Sequence, residues 1–141
     1  LRKWLKEAFL APKDRIPELP QEVNRLVGLG PGLTPSGDDL LGGVLIILKF
    51  IGAPEIAFTL WTSILETVSI STNRISRAYL FAASQGYGAE SVHQFLNSLY
   101  RAKSEEIIKF RELVVKIGHT SGSDILFGCQ IVLEAWVQTN T

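Results

Sequence analysis

The residues with the most chemical promise in this chain come in two matching sets. The stretch TPSGDDLLGG at positions 34–43 aligns without a gap on HTSGSDILFG at 119–128. Ser36 pairs with Ser121, Gly37 with Gly122, Asp39 with Asp124, Leu41 with Leu126 and Gly43 with Gly128, giving a shared pattern S-G-x-D-x-L-x-G. Each copy opens an apolar run and therefore reads as the start of a helix. First-turn N–H groups and the helix dipole make such a start an anion site, and the Ser and Thr hydroxyls add donors. Ser36, Gly37, Ser121 and Gly122 are therefore assigned to a small anion, with Thr34, Asp38 and Thr120 beside them. His119 stands where Thr34 stands in the other copy and is either a site member, as proton donor or acceptor, or a helix-cap hydrogen bonder. Asp39 and Asp124 either orient these groups for catalysis or, with Asp38, hold Mg²⁺ together with waters. Consecutive aspartates point about 100° apart on a helix, so at most one from each copy reaches a common site.

The same residues admit a structural reading. Ser-x-x-Asp is a variant of the capping box, in which the serine caps an orphan N–H and the aspartate reaches back. Asp38 also complements the positive end of the helix dipole. Gly43 and Gly128, two turns inside their helices, would let those helices cross closely. Against capping alone stand Gly37 and Gly122 at the first helical position, where a better helix former would serve. Glycine is needed there when something must approach the backbone or the dihedrals are special. One copy alone would read as a cap; two copies point to a pair of helix ends holding something between them, related by an ancient duplication and an approximate two-fold axis. The preceding GLGPG follows a helical segment rather than a strand, and no G-K-[ST] follows it, so it is neither a dinucleotide fingerprint nor a Walker A loop.

The elements that must position these groups are helices. RKWLKEAFL (2–10) sets Trp4, Leu5, Ala8 and Phe9 on one face. QEVNRLV is a short helix ended by Gly28, and residues 36–51 form a helix apolar nearly all round. Pro54 opens the next helix, PEIAFTLWTSILETVS, at its first turn. STNRISRAYLFAASQG takes Ser71 or Thr72 as its N-cap and Gly86 as its stop. AESVHQFLNSLYRA and SEEIIKFRELVVKIG follow, the latter capped at Ser104, and SDILFGCQIVLEAWV closes the chain. No segment alternates with period two. The expected fold is all-α, a single domain over residues 1–141 with about seven helices and with helices 36–51 and 122–137 buried centrally. The chain lacks Met even at position 1 and reads as a trimmed or excised piece.

Composition narrows the function. Lys plus Arg and Asp plus Glu both total 14 in 141 residues, so the formal net charge is zero. A nucleic-acid binder normally carries a basic excess, and none is expected here. A single cysteine, Cys129, excludes an internal disulfide framework and fits a reducing, cytoplasmic compartment. It reads as a small buried side chain, and His93 as a solvated one. The longest apolar run, Leu40 to Ile51, carries Lys49 and is too short for a membrane span, so no membrane partner is expected. With apolar residues at 46% and charged ones at 20%, part of the surface is expected to meet a second copy or a partner subunit. Trp4, Trp61 and Trp136 lie within apolar helix faces and serve core or interface packing.

Together, GLGPGLTPSGDDLLGG and GHTSGSDILFG resemble the AllH-like proteins, formerly catalogued only as a domain of unknown function. Members include a subunit of a bacterial oxamate carbamoyltransferase from allantoin, and hence purine, catabolism. The resemblance covers about residues 24–137 and extends to TNRIS at 72–76, where a Thr and a Ser lie four apart at a helix start. It implies carbamoyl transfer between an amide or amine and phosphate, in the reversible reaction of oxalurate and phosphate to oxamate and carbamoyl phosphate. On that basis Thr72, Arg74 and Ser76 become further ligand contacts, with Arg74 as the fork for a carboxylate or phosphate. No cofactor is called for beyond Mg²⁺ as a candidate. A carbamoyl phosphate site wants several cations, and these motifs hold only Arg74, Arg77 and His119, so a partner subunit or a missing segment is expected to bring others. The alternatives are a non-catalytic ligand-binding or regulatory subunit and a structural subunit whose motifs only pack helices.

Overall fold

The helix Ser36–Phe50 carries the fold because its sequence leaves no polar face to turn outward; its partner Ser121–Asn140 is central too, but turns Ser123, Phe127, Gln130 and Trp136 to solvent. The computed structural model describes residues 1–141. In it α1 spans Arg2–Leu10, α2 Ser36–Phe50, α3 Pro54–Ser71, α4 Arg74–Ser84, α5 Glu90–Tyr100, α6 Ser104–Val115 and α7 Ser121–Asn140, with a 3₁₀ helix at Gln21–Leu26. The chain is all-α, as the absence of period-two alternation predicts. Leu41, Val44, Leu45, Ile46, Ile47 and Leu48 are all buried on α2, so this helix is enclosed on every side over its middle turns. α7 is its main neighbour and packs in turn against α1 and α6; α3 and α4 cover the remaining sides of α2, and α5 pairs with α6. One continuous core of 28 buried apolar residues draws on all seven α-helices. No helix is long and apolar enough to cross a membrane.

The remaining helices are amphipathic and bury one stripe each. Trp4, Leu5 and Ala8 face inward from α1, and the Trp4 indole N–H donates to the Pro17 carbonyl at 2.8 Å, tying the proline-rich segment beneath the helix. Pro54 stands at the first turn of α3, where its missing N–H costs nothing. α6 buries only Val114 and leaves its charges in solvent.

The crossing of α2 and α7 is built on the repeat. A Cβ added to Gly43 would lie 2.2 Å from the Ile125 carbonyl oxygen, and one added to Gly128 would lie 2.2 Å from the Leu40 carbonyl oxygen. Leu40 and Ile125 are themselves paired by the repeat, so the two contacts are mirror copies of each other. The helices therefore touch backbone to backbone, as the paired glycines predict. The buried Cys129 thiol sits in the same crossing, 3.5 Å from the Gly43 carbonyl oxygen.

The helix starts differ from the capping-box expectation. The N-cap positions are Pro35 for α2, Thr120 for α7 and Lys103 for α6, none with a side-chain cap; Ser36, Ser121 and Ser104 are the first helical residues instead. Backbone carbonyls do the capping. Asp38 and Asp39 N–H both donate to the Pro35 carbonyl at 2.9 and 3.0 Å, and Asp124 N–H to the Thr120 carbonyl at 3.0 Å. For α4 the cap is Asn73 rather than Ser71 or Thr72. Its side-chain oxygen accepts from Ile75 and Ser76 N–H at 3.0 Å each, and its amide nitrogen donates to the Leu33 carbonyl at 2.8 Å.

Candidate functional site

The crossing sets the starts of α2 and α7 side by side, and the two motif copies meet there. The Thr34 hydroxyl lies 3.1 Å from the Ser121 hydroxyl, joining the loop before α2 to the first residue of α7. One turn further in, Asp39 is only 2% exposed, and its Oδ2 has no hydrogen-bond partner. Burial pushes the Asp39 carboxyl above its ordinary range; the Ser121 and Thr34 hydroxyls facing it oppose the rise, and the Asp124 and Asp38 charges add to it. Asp124 is half-buried, yet its Oδ2 is also enclosed without a partner.

A third enclosed polar atom without a partner belongs to Tyr79. Its ring lies against Gly42, where an added Cβ would fall 2.1 Å from the phenol oxygen. Gly42 is three residues after Asp39 on α2, hence on the same side of the helix. Burial first, and then the Asp39 charge, raise the Tyr79 phenol well above its ordinary range. Sequence reasoning missed this residue. The available signal was its place on α4, one turn past Ser76.

The other aspartate of the pair does something else. Asp38 is fully buried and accepts three hydrogen bonds: Gly28 N–H at 2.8 Å on Oδ1, and the Thr72 and Ser76 hydroxyls at 2.5 Å each on Oδ2. It pins the glycine-rich loop and the start of α4 to α2. The spacing of Thr72 and Ser76, four apart, is thereby accounted for: both hydroxyls converge on one carboxylate, and both residues are buried. Asp38, Thr72 and Ser76, all expected as ligand contacts, are engaged with one another in this staple. The three aspartates do not converge as metal ligands either, because Asp38 faces α4. No group of three or more His, Cys, Asp or Glu side chains is placed to hold a metal ion.

Gly37 and Gly122 also turn out to be occupied. Their N–H groups donate to the Leu29 and Ile117 carbonyls at 2.9 and 3.0 Å. A Cβ on either would fall 1.8 Å from a carbonyl oxygen of the preceding segment, Leu26 for Gly37 and Val114 for Gly122. Something does approach the backbone there, and it is the chain's own carbonyl. The N–H groups of Ser36, Ser121 and Ser123 at the two helix starts have no acceptor within the chain, while the Ser121 hydroxyl is in contact with that of Thr34.

The basic groups lie outside the seam. Arg74 and Arg77 are exposed and, with Leu33 and Asn73, line an open hollow of about 1070 Å³. Arg77 Nε donates to the Thr72 carbonyl at 3.0 Å, which holds that guanidinium along the rim. Gly32 and Leu33, which line the hollow, directly precede Thr34 in the chain. His119 and Thr120 are exposed in the turn leading into α7, next to Ser121. A second hollow, about 630 Å³, opens between the start of α1 and Leu40, Phe127 and Ile131, and none of the motif's polar side chains lines it. Cys129 is buried and its thiol is pushed up to about 12, which makes it a packing residue rather than a nucleophile.

A family model described as oxamate carbamoyltransferase subunit AllH matches residues 26–133. The match contains both copies of the motif, the Asp38 staple, Tyr79 and both arginines. No solved structure matches the chain.

Proposed function

The chain belongs to the AllH family of oxamate carbamoyltransferase subunits, and from that premise we propose that it holds a small carboxylate- or phosphate-bearing ligand for a carbamoyl transfer at the mouth of the α2–α7 seam. The observation that supports this most is the meeting of the two motif copies at Thr34 and Ser121, with Gly32 and Leu33 just before Thr34 lining the hollow that holds Arg74 and Arg77.

In this reading the unshared N–H groups of Ser36 and Ser121, with the hydroxyls of Ser36, Thr34 and Ser121, bind one end of the ligand. Arg74 supplies the bidentate fork for a carboxylate or phosphate. His119, beside the start of α7, gives or takes the proton that moves with the carbamoyl group. Carbamoyl transfer needs positioned reactants and donors aimed at the developing oxyanion more than it needs a nucleophile. Partner subunits bring the remaining cations to the transferred phosphate. A ligand-binding subunit without chemistry of its own is the second reading, favoured by the closure of Asp39 beneath Thr34 and Ser121.

Thermal denaturation with phosphate, oxamate and oxalurate tests the binding. A dose-dependent rise that Arg74→Ala removes is expected, while no rise with any of the three refutes the anion site. Turnover with carbamoyl phosphate, assayed with and without the partner subunits, separates the two readings: binding without turnover in either condition selects the second.

A further inference from the structure

The inside of the seam has a different chemistry from its mouth. Three polar atoms are enclosed there without partners: Asp39 Oδ2 and Asp124 Oδ2, one from each motif copy, and the Tyr79 hydroxyl from α4. Two of them are carboxylate oxygens, which only accept hydrogen bonds when ionised, and the third can accept as well as donate. Thr34 and Ser121 hydroxyls lie just outside and can accept too. Buried polar atoms left unpaired destabilise a fold, and native interiors nearly always satisfy them. The complement of this set is a group that donates several N–H bonds and carries no negative charge, since two carboxylates repel an anion at short range. Gly42 allows no side chain between α2 and the Tyr79 ring, so the phenol is held beside the Asp39 face of α2 rather than turned to solvent.

We infer that the inner seam formed by Asp39, Asp124 and Tyr79 binds an N–H-donating group, either ammonium or the nitrogen end of a primary amide or ureide. The inference deepens the proposed function, on whose seam it rests, by assigning the nitrogen end of the ligand to the carboxylates and leaving the anionic end at the mouth. Access requires the Thr34–Ser121 contact to part, because it closes the seam from outside.

Thermal denaturation of the full chain in ammonium chloride and in acetamide tests this, with potassium chloride as the control at equal ionic strength. A dose-dependent rise in Tm is expected with at least one N–H donor, above any effect of potassium. A response to ammonium alone identifies the free ion, and a response to acetamide identifies the amide end of a larger ligand. Asp39→Asn places an amide nitrogen in the seam from within and should weaken the response at least tenfold. Tyr79→Phe should weaken it severalfold and serves as the readout if Asp39→Asn fails to fold. An equal rise with potassium, no rise with either donor, or an undiminished response in both variants overturns the inference. Arg74→Ala should leave the amide response intact while abolishing the phosphate response, so loss of the mouth and loss of the inner seam are told apart.

Discussion

Replacing Gly43 with Ala is a severe test of the α2–α7 crossing because two opposing terms decide its sign. On an ordinary helix the substitution stabilises by about 1 kcal/mol, since alanine restricts the unfolded chain and favours the helix. Here the new Cβ would lie 2.2 Å from the Ile125 carbonyl oxygen and 2.9 Å from its carbon. Carbon–oxygen contact needs roughly 1 Å more than that, in line with normal non-bonded separations of about 3.5 Å. The obstacle is mid-helix backbone and has no rotamer to change. The helices must therefore separate, loosening Val44, Ile47, Leu48 and Val132 in the centre of the core. Overpacking of this kind costs about 1–3 kcal/mol and sometimes more, and backbone against backbone belongs at the upper end. The expected net loss is about 2 kcal/mol, or a fall in Tm of about 6–10 °C for a domain of this size. Gly128→Ala should cost a similar amount, because its Cβ meets the Leu40 carbonyl oxygen at the same 2.2 Å. The double variant should cost clearly less than the sum, since the first separation makes room for the second substitution. Calorimetry and urea unfolding give both quantities. A Gly43→Ala protein as stable as the parent, or more stable, would show that the helices do not touch where we place them.

Asp38→Ala would leave three donors without an acceptor, namely Gly28 N–H and the Thr72 and Ser76 hydroxyls. At about 1–3 kcal/mol per stranded buried donor, urea unfolding should show a loss of at least about 3 kcal/mol, whereas Thr72→Val alone should cost about 1 kcal/mol. The raised pKa of Asp39 fixes the sign of a pH effect. The folded chain holds this proton more tightly than the unfolded chain, so the stability it contributes is full below the ordinary carboxyl value of 3.8 and is lost as pH rises through the folded value. Asp39→Asn should therefore gain on the parent in urea midpoints as pH rises above the ordinary carboxyl value of 3.8, and a constant difference over that rise contradicts the assignment. Cys129, buried with its thiol pushed up to about 12, should resist a thiol reagent at pH 8 in the native protein and react only on unfolding; rapid labelling of folded protein would remove it from the core.

The helices themselves were legible because they follow from apolar spacing and from proline and glycine stops, which act within a few residues. Pro54 opened α3, Gly86 closed α4, and the paired glycines announced a close crossing before any partner was known. What stayed hidden depends on contacts between distant segments. Ser36 and Ser121 match a capping box in spacing, yet Pro35 and Thr120 carbonyls reach the same N–H groups first. Thr72 loses its expected cap role because its hydroxyl is drawn 34 residues away to Asp38, and Asn73 takes over the helix start. Gly37 and Gly122 were legible as sites of close approach, but a sequence cannot say whether a ligand or a carbonyl makes that approach. Tyr79 had only its place one turn past Ser76 to mark it; its significance comes from Gly42 and Asp39 on another helix.

The two motif copies keep the same backbone and divide the chemistry between them. Gly43 against Ile125 and Gly128 against Leu40, with Gly37 against Leu26 and Gly122 against Val114, are matched contacts that a two-fold arrangement would produce. The side chains break that symmetry. Where the first copy has the fully buried Asp38 stapled to α4, the second has the exposed Ser123, and where the first has Thr34 the second has the exposed His119. The first copy is thus anchored on both sides by Asp38 and Asn73, while the turn before α7 carries its polar groups to the surface. A rigid half and an open half meeting at one hydroxyl pair can hold a ligand without reshaping the core. The first copy fixes the position of Asp39 and Tyr79, and in the proposed reading the motion that admits a ligand falls on the turn at 116–120 and the start of α7. That division predicts faster amide exchange for residues 118–121 than for residues 34–37, despite their shared motif. Hydrogen exchange resolved by segment would measure it, and equal protection at the two starts would place the opening on both halves instead.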